Sequence, residues 1–230
     1  SNNVVSAVKM LRDVGEGNAP NLDGKRVCVV GGGNVAMDAT RTSLRLGASH
    51  VSCVYRRRIE DMTALTEEIE EAQAEGAEIK TLFAPDHIEA DENGNVCALW
   101  VQPQIISDVT ADGRTNVRKA NKPLERIPCD YIIVAIGQSI ESKHFEQSGI
   151  LTQRGVIQTE KTCFVPGSGN VFAGGDAVSG PSTVIRAVAA AKVAAANIDS
   201  FLGFNHKITV DVEVPSPALT NTPATGRVNL

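Results

Sequence analysis

VCVVGGGNVAMDATRTSLRLGA, residues 27–48, passes from a run of small apolar side chains through three glycines into a helical pattern. Val27, Cys28, Val29 and Val30 are apolar without alternation, the texture of a parallel strand buried on both faces. Gly31, Gly33 and Ala36 then spell G-x-G-x-x-A. In that spacing the first glycine makes a tight turn and the second leaves bare backbone against a pyrophosphate. The small third residue lets helix and strand approach closely. A helix beginning near Asn34 and stopping at Gly47, with Arg45 in its last turn, would aim its unsatisfied N–H groups at that anion. Three such glycines can also form a turn that binds nothing, so the motif needs support from the rest of the chain.

Residues 50–55 read as a second strand, and residues 25–55 fit one βαβ unit, which the handedness rule places in a parallel sheet. Arg56, Arg57 and Arg58 follow at once. A site that prefers NAD carries an Asp or Glu about 20 residues past the glycine loop to bond the ribose 2′-hydroxyl. Here three cations stand in that place. Planar guanidinium groups match a phosphate bidentately, so this turn favours NADP(H), with Arg56 and Arg57 as contacts. The alternative is a solvated basic turn.

Residues 4–12 space their apolar positions as a helix without a strand of its own, and Gly15, Gly17 and Pro20 end it. Residues 63–76 predict a helix with Leu65, Ile69 and Ala72 on one face and five glutamates mostly toward solvent. Residues 77–83 return as a strand. Between residues 85 and 128 the pattern alternates and is broken by turn signals at residues 92–95 and 111–114, as in antiparallel hairpins. Trp100 is assigned to core packing there. Residues 132–136 restore the buried-strand texture up to Gly137, close to which a ligand crossing the carboxyl ends of the sheet would pass.

Further on, residues 155–158 read as a strand and residues 171–173 as another that runs into Gly174-Gly175-Asp176. Asp176 can accept a ribose or ribityl hydroxyl or cap the alanine-rich helix of residues 182–202. The tail, residues 206–230, reads as a linker or extended arm.

Composition excludes several classes. With 22 basic and 27 acidic residues the net charge is −5, which argues against a general nucleic-acid or anionic-membrane surface. No apolar run is long enough to span a bilayer and no signal peptide is evident, so a cytoplasmic location is expected. The five cysteines contain no C-x-x-C pair and the four histidines no helical metal spacing, so no metal site is assigned.

Three separated motifs then agree: GGGNVAMDATRTSLRLGA, YRRR followed by MTALTEEIEEAQAEG, and VFAGGDAVSGPSTVIRAVAAAKVAAANID. Together, over roughly residues 4–204, they resemble the glutamate synthase small-subunit family, a branch of the flavoprotein reductases with two dinucleotide-binding domains. The fold class this implies is α/β. It combines a Rossmann-like NAD(P)-binding domain, with a parallel sheet and an antiparallel β-meander, and the C-terminal half of a discontinuous FAD-binding domain. The expected boundaries are 1–21, a helix and linker from the FAD side; 22–137, the NADP(H) domain; 138–205, the FAD segment; and 206–230, the tail.

By the same resemblance Gly31, Gly33, Asn34, Val35 and Ala36 cradle the NADP(H) pyrophosphate, and Ala135, Ile136 and Gly137 lie along the dinucleotide. Gly175, Asp176, Ser182, Thr183 and Val184 are the implied FAD contacts. The family's FAD glycine loop and its cysteine-rich iron–sulfur domain would precede residue 1, so the FAD site is expected to be incomplete here. Iron–sulfur clusters are expected only in missing domains or partners. A further departure is Gln138-Ser139-Ile140 where the family commonly has a proline.

The expected activity is hydride transfer from NADPH to FAD and onward to an electron-accepting subunit or domain. The partners are that acceptor and the missing N-terminal FAD half; neither nucleic acid nor membrane is among them. The cofactors carry the chemistry, and no catalytic side chain is assigned, since G-x-S-x-G and H-E-x-x-H are both absent. The fragment alone is expected to bind NADPH, to hold FAD weakly and to be inactive. Alternatives are a non-catalytic NADP(H)-sensing module and a methyltransferase on the same scaffold.

Overall fold

A computed structural model describes residues 1–109 and 115–208. The chain divides into two compact units, Ser1–Gly137 and Gln138–Leu230. In the first, five parallel strands lie in the order β1 (Val4–Ser6), β9 (Tyr131–Val134), β2 (Arg26–Val30), β3 (His50–Tyr55), β4 (Glu78–Thr81). The unbroken apolar run of β2 has a direct cause. Val27 and Val29 pack under the helices with Ala36, Met37 and Ile69, while Cys28 and Val30 point the other way. There they join Leu99, Val101 and Ile127 of a second sheet. Each fully buried valine contributes about 1.5–3 kcal/mol.

That second sheet is antiparallel. Strand β6 (Val96–Val109) pairs with β5 (Phe83–Ala90) and β8 (Glu125–Pro128) in its first half and with β7 (Thr115–Lys119) in its second. The first expected turn is closed by Asp91, whose carboxylate accepts from the Asn93 and Asn95 amides at 2.9 and 2.8 Å. The second, residues 111–114, lies outside the described residues. Trp100 departs from expectation: it is half-buried, stacked on His87 at 5.6 Å, and its Nε1–H donates to Glu89 at 2.8 Å. The core side of β6 is taken instead by Leu99 and Val101.

Three helices cover the parallel sheet: α1 (Ala7–Gly15), α2 (Asn34–Arg45) and α3 (Thr66–Ala74). Residues 4–12 are therefore not one helix. Val4 and Val5 extend as β1 against Ile132 and Ile133, and Ser6 caps α1 by accepting from the Lys9 amide at 3.2 Å. The helix and linker expected on the FAD side, residues 1–21, fall in the first unit together with the unexpected strand β1, with Ala7 and Met10 buried in its core.

Helix α3 also starts later than its pattern suggests. The Thr63 and Ala64 amides donate to the Gly32 carbonyl and the Leu65 amide to Asn34 Oδ1, which holds residues 63–65 out of the helix and leaves Leu65 exposed. The glutamates of α3 are not a plain solvent face either. Arg41 of α2, only 17% exposed, meets Glu68, Glu71 and Glu75 at 2.7–2.8 Å, and Arg45 joins Glu75 at 2.7 Å.

Arg41→Ala is expected to cost about 1–2 kcal/mol, between an exposed and a fully buried ion pair. Thermal unfolding should show this as a Tm lowered by about 5 °C. Arg45 and Arg41 hold the Glu75 carboxyl below the usual range. Their contribution is complete above the unfolded carboxylate value of about 4.3 and is lost as the pH falls through the lower folded value. Parent and variant should therefore converge in acid.

The second unit contains α4 (Lys143–Gln147), the hairpin β10 (Thr152–Gln153) and β11 (Val156–Ile157), α5 (Asp176–Ser179) and α6 (Val184–Phe201). Arg154 and Gly155 both take positive φ, 54° and 80°, as a two-residue hairpin turn requires. The strand expected at residues 171–173 reduces to one bridge, Phe164 to Phe172. Gly174 and Gly175 lie against Ala190 and Ala187 of α6, and Phe172 packs edge-on against Phe164 and Phe201. Residues 209–230, most of the expected tail, lie outside the described residues.

Candidate functional site

The site forms where β2 and β9 end side by side. Because β3 lies on one flank of β2 and β9 on the other, this is the crevice at which an open parallel sheet binds ligands. Gly31 opens it. Its φ is +153°, its amide donates to the Val54 carbonyl at 3.0 Å, and a Cβ there would stand 2.3 Å from the Ala135 carbonyl oxygen. Ala135 is tied down in turn, its amide donating to the Val30 carbonyl at 2.7 Å. The Gly31 carbonyl accepts from the Cys53 thiol at 3.3 Å, and burial pushes that thiol up to about 12, so it stays protonated.

Gly32 is held from the opposite side. A Cβ on it would be 2.5 Å from the Tyr55 ring, and its carbonyl accepts from the Thr63 and Ala64 amides at 2.9 and 3.1 Å. The sequence reading passed over this glycine as a variable position of the motif. The visible signal was a third consecutive glycine where the motif asks for two.

Gly33 starts α2 in an extended conformation without any side-chain cap, and its carbonyl receives the Ala36 and Met37 amides. The Asn34 and Val35 amides, in the first turn of this twelve-residue helix, have no intrahelical acceptor. Ala36 is fully buried against the sheet, as its place in the motif requires. The Asn34 side-chain oxygen accepts from the Leu65 amide at 2.9 Å, which fixes the side chain and leaves its Nδ2–H2 and its backbone amide as the donors for an anion. Ile136 is 75% exposed beyond β9, and Gly137 follows with φ +105°.

The three arginines after β3 divide. Arg58 is engaged by Asp61, with Nε to Oδ2 at 2.9 Å and Nη2 to Oδ1 at 3.1 Å. Arg56 is exposed and has no partner among the described residues. Arg57 keeps a buried Nε without any hydrogen bond among the described residues. An orphaned buried N–H in a turn whose Tyr55 packs on the glycine loop fits an anionic oxygen as its partner. Asp61 is buried, and Arg58 first, then Thr115, holds its carboxyl well below the usual carboxylate range. Sequence reading missed both Asp61 and Tyr55.

The second group of expected contacts lies in the other unit. Gly175 takes φ +64°, Asp176 Oδ1 accepts from the Ser182 amide at 3.2 Å, and Thr183 begins α6 without a side-chain cap. Val184 is 80% exposed. The structure thus brings Asp176 to Ser182.

A separate cavity of about 350 Å3 lies at the opposite ends of β2 to β4, lined by Arg26, His50, Ser52, Glu78 and Lys80 among others. None of the expected site residues lines it. Glu78 there accepts from Ser52 Oγ at 3.1 Å and from Lys80 Nζ at 2.6 Å, with His50 Nε2 at 3.1 Å. Among the described residues no cluster of His, Cys, Asp and Glu could hold a metal ion, and no helix is long and apolar enough to cross a membrane.

Residues 1–191 match the pyridine nucleotide-disulphide oxidoreductase family. The chain is 36% identical over 198 residues to the NADP(+)-dependent formate dehydrogenase subunit beta of Moorella thermoacetica, a match covering 86% of this chain and 28% of that protein. It is 34% identical over 187 residues to the small chain of NADPH glutamate synthase from Escherichia coli, over 79% of this chain and 40% of that one. The chain therefore spans well under half the length of these curated relatives. The structure of Mycobacterium tuberculosis FprA in complex with NADPH shares the fold with a TM-score of 0.65 at 19% identity, over 86% of this chain and 58% of that chain.

Proposed function

We infer the function from one premise: the chain belongs to the pyridine nucleotide-disulphide oxidoreductase family. It is the NADP(H)-binding part, with a segment of the FAD-binding part, of a flavoprotein oxidoreductase that delivers electrons to a partner, on the pattern of the glutamate synthase small subunit. When bound, the nicotinamide supplies a hydride and the flavin accepts it.

The observation that carries this reading is the pairing of an uncapped glycine loop with two free arginine groups. Gly31, Gly32 and Gly33 leave no side chain between backbone amides and a pyrophosphate, and the first turn of α2 directs its open amides and dipole there. Tyr55 places the arginine turn next to that loop by packing on Gly32. Arg56 and the unpartnered Nε of Arg57 are then the groups for a ribose 2′-phosphate, Arg58 being spoken for by Asp61. Ala135, Ile136 and Gly137 would flank the dinucleotide.

Gly175, Asp176, Ser182, Thr183 and Val184 would supply the FAD contacts of the second unit, with Asp176 as hydroxyl acceptor and the uncapped start of α6 as anion donor. The remainder of the flavin site, any iron–sulfur clusters and the electron acceptor belong to parts of the protein or to partners outside this chain. The relatives that are named as subunits of NADPH-dependent assemblies favour such a partner.

Dye reduction by the full-length protein tests the reading. NADPH should support reduction of an artificial acceptor with kcat/KM at least about tenfold above that with NADH. Binding of NADPH without any dye reduction would leave a sensing module and overturn the oxidoreductase assignment.

A further inference from the structure

We infer that Asp61 is a positioning residue for NADP(H) selectivity, fixed from the antiparallel sheet by Thr115 and acting through Arg58 and Tyr55. The inference rests on the reading above, in which Arg56 and Arg57 hold the 2′-phosphate. Asp61 lies in a short 3-10 turn, Ile59–Asp61, and its side chain is 3% exposed. Its carboxylate accepts from the Arg58 amide at 3.3 Å as well as from the Arg58 guanidinium, from the Thr115 amide at 3.2 Å, and from the Thr115 hydroxyl in a short bond. Its carbonyl accepts from the Tyr55 hydroxyl at 2.8 Å.

The chain from Tyr55 to Asp61 is therefore closed into a loop at both ends by one residue. Tyr55 presses on Gly32 at one end, and Thr115, itself buried at the start of β7, anchors the other. Arg56, exposed, and Arg57, with its Nε buried, lie within this clip, and the Arg57 carbonyl is pinned by the Leu82 amide at 3.0 Å. A buried carboxylate is expensive unless fully paired, and a fold needing only stability could use apolar residues instead. What this one provides is geometry: it withdraws Arg58 from the phosphate site and fixes the backbone that presents the other two guanidinium groups. Preorganised donors lose less on binding than donors that must first be ordered.

The test compares Kd for NADPH and for NADH on the chain by calorimetry, for the parent, Asp61→Asn, Thr115→Val and Thr115→Ser. Asp61→Asn and Thr115→Val should weaken NADPH about tenfold while leaving NADH within about twofold, and Thr115→Ser, which keeps the hydroxyl, should retain the parent ratio. A purely structural role would lower Tm and weaken both nucleotides alike, or neither. An unchanged NADPH-to-NADH ratio in a folded Thr115→Val therefore overturns the inference, and because that change removes one hydroxyl, it carries the test if Asp61→Asn does not fold. A parent chain without any NADPH preference would instead sink the underlying NADP(H) assignment.

Discussion

Gly31→Ala is expected to abolish NADPH binding and lower the Tm by about 10 °C. The new Cβ would lie 2.3 Å from the oxygen, 2.9 Å from the carbon and 3.0 Å from the Cβ of Ala135. These are mostly backbone atoms of a neighbouring strand end, and that strand end is held by the Ala135 amide bond to Val30. No flexible side chain can move aside. Overpacking of this kind costs about 1–3 kcal/mol, and the φ of +153° adds strain for any residue with a Cβ. Gly15→Ala is the control. Its added Cβ meets nothing within 4 Å, and its Tm should stay within about 2 °C of the parent. A Gly31→Ala protein that melts with the parent would contradict the close approach of β2 and β9 on which the crevice depends.

What was legible beforehand was whatever a few neighbouring residues determine. The order β2, glycine turn, α2, β3 is written in a strand buried on both faces and a helix that starts and stops on recognisable residues. The arginine turn was legible because it directly follows β3. What stayed hidden depends on contacts between residues far apart in the chain. Asp61 carries no signal in its own stretch of sequence, because its role comes from Thr115, 54 positions later, which donates to its carboxylate. Asn34 reads as a phosphate-loop residue, and what stayed hidden is that its side-chain oxygen also accepts from the Leu65 amide. Strand β1 is three residues long, too short to carry a period of its own, and its valines happened to fall in step with those of α1. The Gly174-Gly175 segment reads as a strand end because glycines permit close approach, but the approach is to helix α6.

Charge reversal at the arginine turn should have the largest effect on ligand binding. In Arg56→Glu/Arg57→Glu both unengaged guanidinium groups become carboxylates facing the place of the 2′-phosphate. Each charge-assisted hydrogen bond lost contributes about 1.5–3 kcal/mol, so NADPH affinity should fall about a hundredfold or more. NADH, which lacks that phosphate, should bind within about threefold of its parent value, because the glycine loop and α2 are untouched. Fold should persist, since Arg56 is exposed and no described residue bonds either guanidinium that would be lost. A double variant that weakens NADH as strongly as NADPH would mean that the turn supports the pocket rather than reads the phosphate.

The central claim is that this chain selects NADP(H) through a glycine loop and an arginine turn, and calorimetric titration of the parent chain with NADPH and with NADH tests it most directly. The account expects NADPH to bind at least about tenfold more tightly, with the preference disappearing in Arg56→Glu/Arg57→Glu. Equal affinities for the two nucleotides in the parent, or a charge-reversed variant that binds NADPH unchanged, would contradict it.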